Sequence, residues 1–273
     1  MTTPNDFIAK IFSKKKQSVW VAILGQKQSG KTDFALLIMN ILYEMGLMEA
    51  FGSNMPLEAS FPIDFIEDFQ TLEKRCKMLN PNPQKYGFKR YLYFGSEMGK
   101  WLPKDQSWRN VDFIEKLQTV RKYGLSWIGD AISRVDSRAL NEVHFQGCFM
   151  KLSQTNPTIA QYEDWVTGQI TLLKKIPRTK IVFDTWYSAN FYMEPQTLDN
   201  LVLPLNTEHE IVKKYLDTGS WKQAGVYTQE GKRALFKVLD YHYTHCLHEI
   251  ALENEELAPI KSDITKDSVE VTE

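Results

Sequence analysis

The segment Gly25-Gln26-Lys27-Gln28-Ser29-Gly30-Lys31-Thr32, GQKQSGKT, matches the pattern G-x-x-x-x-G-K-[ST] at every fixed position. In this pattern a small loop directs consecutive backbone N–H groups toward phosphate oxygens. The N-terminus of the following helix adds about half a positive charge at the same place. The segment therefore predicts a loop that binds the phosphates of a nucleotide.

The residues on both sides of this loop favour a strand before it and a helix after it. The run 18–24, SVWVAIL, is largely apolar, which is typical of a strand buried on both faces of a parallel sheet. The run 32–45 is also largely apolar and stops at Gly46, a residue that commonly ends helices. A strand, a glycine-containing loop and a helix form the context that this motif needs.

The predicted nucleotide site contains the loop and the start of the helix. Lys31 is long enough to reach the β- and γ-phosphates, and the Thr32 hydroxyl is suited to bind Mg²⁺. We therefore predict ATP and Mg²⁺ as the bound cofactors. The predicted binding residues are Gly25, Gln26, Lys27, Gln28, Ser29, Gly30, Lys31, Thr32 and Asp33.

A second part of the site is predicted after the apolar run 91–94, YLYF. Ligands of open α/β sheets bind at the carboxyl ends of the strands, so Glu97 is expected beside the phosphates. A carboxylate there can orient and deprotonate the attacking water. Such strands usually end in Asp-Glu, and here Ser96 holds the Asp position. Because serine brings no charge, we expect weak Mg²⁺ binding or slow turnover, with Thr32, Ser96 and Glu97 at the metal.

The order of the segments resembles the FtsK–HerA superfamily of DNA-pumping ATPases, and within it the zonula occludens toxin-like (Zot-like) ATPases of viruses and plasmids. Besides the loop, three segments carry the resemblance: AFGSNMPL at 50–57, YLYFGSEMGKWLP at 91–103 and VRKYGLSWIGDAISRVDSRAL at 120–140. A later segment, IPRTKIVFDTWY at 176–187, is also similar to the family, so the resemblance spans roughly residues 18–190. It implies a RecA-like (ASCE) P-loop NTPase, an α/β fold with a mainly parallel central sheet flanked by helices.

The resemblance also implies roles for particular residues. In the family a Gln at the end of the strand predicted over 124–130 senses the γ-phosphate, and here Asp130 stands at the matching position. A carboxylate accepts hydrogen bonds but cannot donate them as Gln does. Alternatively, the metal-binding carboxylate has moved from the position of Ser96 to the neighbouring strand, as Asp130.

Members of that superfamily usually act as rings, commonly hexamers, with the nucleotide between subunits. A ring needs an arginine from the neighbour to neutralise charge on the transferred phosphate. Arg121 is the candidate, with Arg134 and Arg138 as alternatives. Arg121 is equally compatible with a solvated side chain or a salt bridge.

Composition limits the other possibilities. The chain has 273 residues and a net charge of −1, so any contact with DNA must come from a local basic face. No apolar run approaches the ~20 residues needed to span a bilayer, and the first residues, MTTPNDFIAKIFSKKK, lack the apolar core of a secretory signal. We therefore expect a cytoplasmic protein without direct membrane insertion. Cys76, Cys148 and Cys246 lack C-x-x-C spacing and are predicted to be reduced thiols.

The predicted organisation is an N-terminal segment at 1–17, an ATPase domain at 18–205, a helical extension at 206–252 and an acidic, disordered tail at 253–273. Within the first domain, the spacing predicts an amphipathic helix over 64–79.

The sequence leaves more than one interpretation open for each of three regions. The loop 100–110, with its tryptophans and cations, is compatible with DNA contact or with core packing. The extension is compatible with a DNA-contacting module or with a helical cap or subunit contact. His242, His245 and His248 do not match a zinc-binding spacing, which favours packed or exposed helix histidines.

Three functions compete at this point. The first is a motor that uses ATP to move or package the DNA of a virus or plasmid. The second is a degenerate nucleotide-binding scaffold for virion assembly or secretion, which Ser96 and Asp130 favour. The third is a small-molecule or nucleoside kinase, suggested only by the short R-x-x-x-R spacing of Arg134 and Arg138.

Overall fold

The computed structural model describes residues 3–13, 18–81, 88–101, 115–116, 119–132, 145–151, 155–194 and 209–239. The chain divides into two compact units, Met1–Asn200 and Leu201–Glu273. Several predicted features lie outside the described residues: most of the tryptophan-containing loop, the acidic tail, Arg134, Arg138, His242, His245, Cys246 and His248.

The first unit is built on a central sheet that, within the described residues, has eight strands in the order β4-β2-β5-β6-β1-β7-β8-β9. The first six strands in this order, from β4 at the edge to β7, run parallel to one another. Strands β8 and β9 add an antiparallel hairpin at the other edge. The predicted fold class, a mainly parallel sheet flanked by helices, is confirmed. The strands are β1 Trp20–Gly25, β2 Ala50–Ser53, β4 Asp64–Phe65, β5 Tyr91–Gly95, β6 Leu125–Ala131, β7 Gly147–Lys151, β8 Ala160–Asp164 and β9 Ile170–Leu173.

Both faces of this sheet are covered, which explains the apolar runs of its strands. Successive side chains of a strand point to opposite faces. In β1, Val21 and Ile23 join the core formed with the helices α1, Pro4–Ile11, and α2, Lys31–Glu44. Trp20 and Ala22 join the core on the other face, which includes residues of α3, Phe69–Leu79. The phosphate-loop helix α2 is therefore anchored along its whole length.

The helix predicted over 64–79 begins only at Phe69, so the prediction of helix for residues 64–68 was wrong. Asp64–Phe65 instead form the edge strand β4, parallel to β2. Asp68 has an extended backbone, and its side chain accepts a hydrogen bond of 2.8 Å from the Thr71 N–H. This cap starts the helix, and the periodicity before it reflects a strand that buries Phe65 at the sheet edge.

Several elements are absent from the sequence-based predictions, among them helix α1 and the strands β7, β8 and β9. Helix α1 is started by a reciprocal cap between Thr3 and Asp6. The segment similar to the family's later strand contributes only β10, Val182–Phe183, which pairs antiparallel with β3, Leu57–Glu58, in a separate two-stranded sheet.

The second unit contains helix α4, Glu210–Thr218, a turn at 221–225 and helical residues 229–239. Its described residues share a small aromatic cluster, in which the Phe236 ring lies 6.1 Å from Trp221 and 5.5 Å from Tyr215. Lys232, a cation of the extension for which DNA contact was one interpretation, lies over the Trp221 ring at 5.1 Å. Lys232 is therefore engaged in packing.

The other general expectations concern cysteines and membranes. Cys76 and Cys148 are buried thiols that take no part in a disulfide bond. Among the described residues, no helix combines the length and the apolarity that a membrane crossing requires.

Candidate nucleotide-binding site

The topology brings the predicted site residues to one edge of the sheet. The loop 26–30 connects the carboxyl end of β1 to α2, with β6 and β7 as the two neighbours of β1. Strand β5, which precedes Glu97, lies beyond β6. Because these strands are parallel, their carboxyl ends meet beside the loop. The candidate site is therefore formed by parts of the chain that are distant in sequence, with Thr32 and Asp130 98 residues apart.

The loop has a conformation that only glycine permits at one of its ends. Gly25 has φ 156°, and a Cβ there would lie 2.8 Å from the Lys151 carbonyl oxygen and from the Ser29 Oγ. Gly30 has φ 79° in the left-handed region, as the N-cap of α2. Gln28 also has a positive φ of 63°. The backbone therefore requires glycine at position 25 and favours it at position 30.

Unsatisfied polar groups face this loop. The N–H groups of Lys31, Thr32 and Asp33 belong to the first turn of α2 and have no helical carbonyl to bond to. Among the described residues, the fully buried Ser29 Oγ has no hydrogen-bond partner. Buried polar groups are rarely left unpaired, so this loop fits a ligand rich in acceptor oxygens, such as a phosphate chain.

Lys31 is folded back onto the loop. Its Nζ donates a hydrogen bond of 2.9 Å to the Gln26 carbonyl oxygen. Burial lowers the pKa of Lys31, and the nearby Asp130 carboxylate opposes that shift. Phosphate oxygens are stronger acceptors than a carbonyl, so they can replace Gln26 as the partner of this amine.

Asp33 follows in the first turn of α2. Burial raises the pKa of its carboxyl, while a hydrogen bond from the Thr179 N–H and the charges of Arg178 and Lys151 act in the opposite direction. The structure therefore ties Asp33 to the segment 178–179 at one side of the loop.

Thr32 and Asp130 are joined directly. The Thr32 Oγ1 donates a hydrogen bond of 2.9 Å to Asp130 Oδ2. The other carboxylate oxygen, Oδ1, accepts from the Glu97 N–H at 2.7 Å and from the Ser96 Oγ at 3.4 Å. Burial raises the pKa of Asp130, and the hydrogen bonds from Glu97 and Thr32 act against it. A cation at this carboxylate would stabilise its charged form.

This arrangement favours the second interpretation of Asp130, that the carboxylate has moved to the neighbouring strand. The side chain that meets the Thr32 hydroxyl comes from β6, and Ser96 is a buried neighbour of that carboxylate. Mg²⁺ is usually held by one or two carboxylates plus the phosphates of the substrate. In the part of the chain that the structure describes, no group of three His, Cys, Asp or Glu side chains is placed to hold a metal ion.

Glu97 is the second residue after β5 and has φ 56°, a left-handed conformation that glutamate seldom adopts. Its side chain is 47% exposed, and its Oε2 is 3.9 Å from Lys100 Nζ. Burial raises the pKa of Glu97; Lys100 and a hydrogen bond from the Ala189 N–H oppose the shift, and Asp130 adds to it. The carboxyl is therefore open to water and close to the phosphate loop, whose Lys27 also affects it electrostatically.

Arg121 is placed far from this edge. Its carbonyl oxygen accepts from the Gly124 N–H just before the amino end of β6, whereas Asp130 lies at the other end of that strand. The structure does not bring Arg121 to the candidate site of its own chain. A role on the transferred phosphate would require a neighbouring subunit, as the sequence hypothesis states.

Two buried polar residues beside the site are missing from the sequence-based predictions. Lys151 pairs in register with Gly25, donates a hydrogen bond to the Pro157 carbonyl and lies 5.3 Å above the Phe34 ring. A single lysine at the end of a strand gives no signal in sequence. Asn54 was part of a segment that carries the family resemblance, without a role of its own.

The glycine-containing loop between β1 and α2, within a mainly parallel sheet flanked by helices, defines a P-loop NTPase fold. In this sheet the strand β6 lies between the loop strand β1 and the strand β5 that precedes Glu97. The sequence resemblance predicted this fold class.

No protein-family model and no curated protein sequence matches the chain. Among solved structures, the chain is similar to the genome packaging NTPase B204 from Sulfolobus turreted icosahedral virus 2, with 13% identity and a TM-score of 0.43 over 60% of this chain and 100% of that one. It is also similar to the N-terminal domain of zonular occludens toxin from Neisseria meningitidis, with 14% identity and a TM-score of 0.39 over 62% of this chain and 95% of that one. The solved structures to which the chain is similar thus include a zonular occludens toxin, the kind of protein that the sequence resemblance names.

Proposed function

We propose that this chain binds and hydrolyses ATP as a motor protein of a virus or plasmid, and that it moves or packages DNA as a ring in the host cytoplasm. One observation carries the proposal. Asp130 accepts hydrogen bonds from both the Thr32 hydroxyl and the Glu97 N–H. A single buried carboxylate therefore links the phosphate loop to the candidate general base.

The residues have distinct duties in this proposal. The loop amides and Lys31 bind the phosphate oxygens. Thr32 and Asp130 are the groups that would hold Mg²⁺, which when bound neutralises charge on the phosphate oxygens. Glu97 accepts a proton from a water molecule while the oxygen of that water forms a bond to the γ-phosphorus. The bond from that phosphorus to the β-phosphate oxygen breaks, giving ADP and inorganic phosphate.

The alternative of a scaffold without turnover rested on Ser96 and Asp130. The contact between Asp130 and Thr32 weakens that alternative, because Asp130 supplies the negative charge that Ser96 lacks. The kinase alternative gains no support, since both arginines that suggested it lie outside the described residues.

The ring and the DNA are the parts of the proposal that rest on the sequence resemblance. The position of Arg121 agrees with action on a neighbouring subunit, because it lies at the opposite end of β6 from Asp130. The net charge of −1 requires that any DNA contact use a local cluster of cations.

We expect phosphate release at saturating ATP to increase several-fold when DNA is added, and Lys31→Ala to abolish both the basal and the stimulated rates. Lys31 is the cation of the phosphate loop, and its loss removes a charge-assisted bond to the transferred phosphate. The matched control is Lys77→Ala, which removes an exposed lysine of α3 paired with Glu73 at 2.8 Å. It should retain both rates.

The outcomes separate the parts of the proposal. Equal rates for wild type and Lys31→Ala would show that the measured activity does not come from this site. Hydrolysis that depends on Lys31 but not on DNA would remove the DNA motor and keep the ATPase. Saturable ATP binding without phosphate release would select the scaffold.

A further inference from the structure

Asn54, in the turn after β2, is a buried asparagine whose amide is satisfied at both ends. Its Oδ1 accepts a hydrogen bond of 2.7 Å from the Ser96 N–H, and its Nδ2 donates to the Ser96 carbonyl oxygen at 3.1 Å. The same Nδ2 donates to the Asn190 carbonyl oxygen at 3.1 Å. Asn54 is fully buried, so this amide clamps the residue before Glu97 to a segment that is distant in sequence.

That distant segment, residues 188–190, also holds Glu97 itself. The Ala189 N–H donates a hydrogen bond to the Glu97 carboxylate. Lys100 donates to the Ser188 Oγ at 2.6 Å and to the Ala189 carbonyl oxygen at 3.3 Å, and it lies 3.9 Å from Glu97. Ala189 is almost completely buried, so segment 188–190 is held against the body of the protein by packing as well as by hydrogen bonds.

We propose that Asn54 is a positioning residue for Glu97: it fixes the Ser96 peptide and segment 188–190 relative to each other, and so determines where the Glu97 carboxylate stands beside the phosphate loop. This inference rests on the proposed function, because it assigns a role within the same site. It also gives the segment at 50–57 a task that the sequence alone did not supply.

The left-handed backbone of Glu97 explains why such a clamp is needed. A glutamate at φ 56° does not hold that conformation by itself and relaxes when its surroundings allow. Asn54 fixes the preceding residue, Asp130 accepts the Glu97 N–H, and Ala189 bonds to the carboxylate. Without Asn54 the carboxylate is free to shift, and a misplacement of about 1 Å at a reacting group can cost roughly 10²-fold in rate.

The chain contains a matched control for the loss of buried hydrogen bonds. Asn80, also buried, donates through Nδ2 to the Lys89 and Tyr123 carbonyl oxygens at 2.7 and 2.8 Å. Its Oδ1 accepts from the Lys89 N–H at 2.8 Å. Asn80 is thus bonded as Asn54 is, but it lies at the amino ends of β5 and β6, away from the phosphate loop. Asn80→Ala reports what a purely structural asparagine contributes.

The test is a double-mutant cycle between Asn54→Ala and Glu97→Gln, with Asn80→Ala in parallel. Melting temperatures, the dissociation constant for Mg-ATP and single-turnover hydrolysis rates are measured for each variant. We expect Asn54→Ala to lower the hydrolysis rate by roughly 10–100-fold with less than about a threefold change in ATP affinity. In the Glu97→Gln background it should lower the rate by less than about twofold, because the group that it positions is already inactive.

A different set of results would overturn the inference. If Asn54→Ala slows hydrolysis by the same factor with and without Glu97, or no more than Asn80→Ala does, Asn54 has only a structural role. If hydrolysis does not depend on Lys31 at all, the proposed function fails and this inference falls with it. Dependence on Lys31 combined with additive Asn54 and Glu97 effects would remove only the positioning role.

Discussion

Replacement of Glu97 by glutamine is expected to reduce ATP hydrolysis by about 10²–10⁴-fold, the usual contribution of a general base. Glutamine has nearly the same shape and can keep the hydrogen bond from the Ala189 N–H, but it cannot take a proton from water. The phosphate loop is untouched, so ATP should bind at least as well as to wild type. Single-turnover hydrolysis and equilibrium binding, measured on the same sample, test both halves of this expectation.

A surface glutamate provides the control for this substitution. Glu73→Gln removes a partly exposed carboxylate of α3 that is paired with Lys77, and it should leave the hydrolysis rate within about twofold of wild type because ion pairs near the surface contribute little. Hydrolysis by Glu97→Gln at a rate close to that of wild type would show that another group activates the water. The left-handed backbone conformation of Glu97 would then have no role in catalysis.

The second large effect is expected at Asp130. Asp130→Asn keeps the shape of the side chain but removes the charge that faces the Thr32 hydroxyl. Because a metal ion at a transferring phosphate contributes several kcal/mol to transition-state stabilisation, we expect a fall of about a hundredfold in hydrolysis at ordinary Mg²⁺ concentration. The Mg²⁺ concentration needed for half-maximal activity should rise by about tenfold or more. Titration of Mg²⁺ at saturating ATP measures both changes.

The same titration tests whether the metal-binding group is the carboxylate at position 130 or the side chain at position 96. Ser96→Ala removes only the 3.4 Å contact to Asp130 and should change the Mg²⁺ requirement little. If Asp130 has taken the place of a carboxylate at position 96, Ser96→Asp in the Asp130→Asn protein should recover part of the lost activity. An unchanged Mg²⁺ requirement in Asp130→Asn would exclude Asp130 from the metal site.

The phosphate loop and its flanking elements could be predicted from sequence because their signals are local. The glycine at position 25 is required by its own backbone and by the close approach of Lys151, and the apolar runs follow from burial on both faces of the sheet. Asp130 was noticed only because its position departs from a family pattern. Its contact with Thr32 depends on β6 lying next to β1, which the order of strands along the chain does not reveal.

The features that sequence could not supply are set by tertiary contacts. The periodicity over 64–79 fits a helix, yet Asp64 is in a strand and forms a buried ion pair of 2.9 Å with Arg75. The role of Asn54 depends on residues 96 and 190, which are brought together only by the folded sheet. No local pattern encodes a hydrogen bond between residues so far apart.

The most direct measurement is equilibrium binding of Mg-ATP to the wild-type protein and to Lys31→Ala, with Lys77→Ala as the control. If the loop 25–32 cradles the triphosphate, the wild type and the control bind with the same affinity. Lys31→Ala should then bind about 10–100-fold more weakly, as expected for the loss of a hydrogen bond to a charged group. Equal affinities of wild type and Lys31→Ala, or no saturable binding to any of the three proteins, would contradict the assignment of this loop as a nucleotide site.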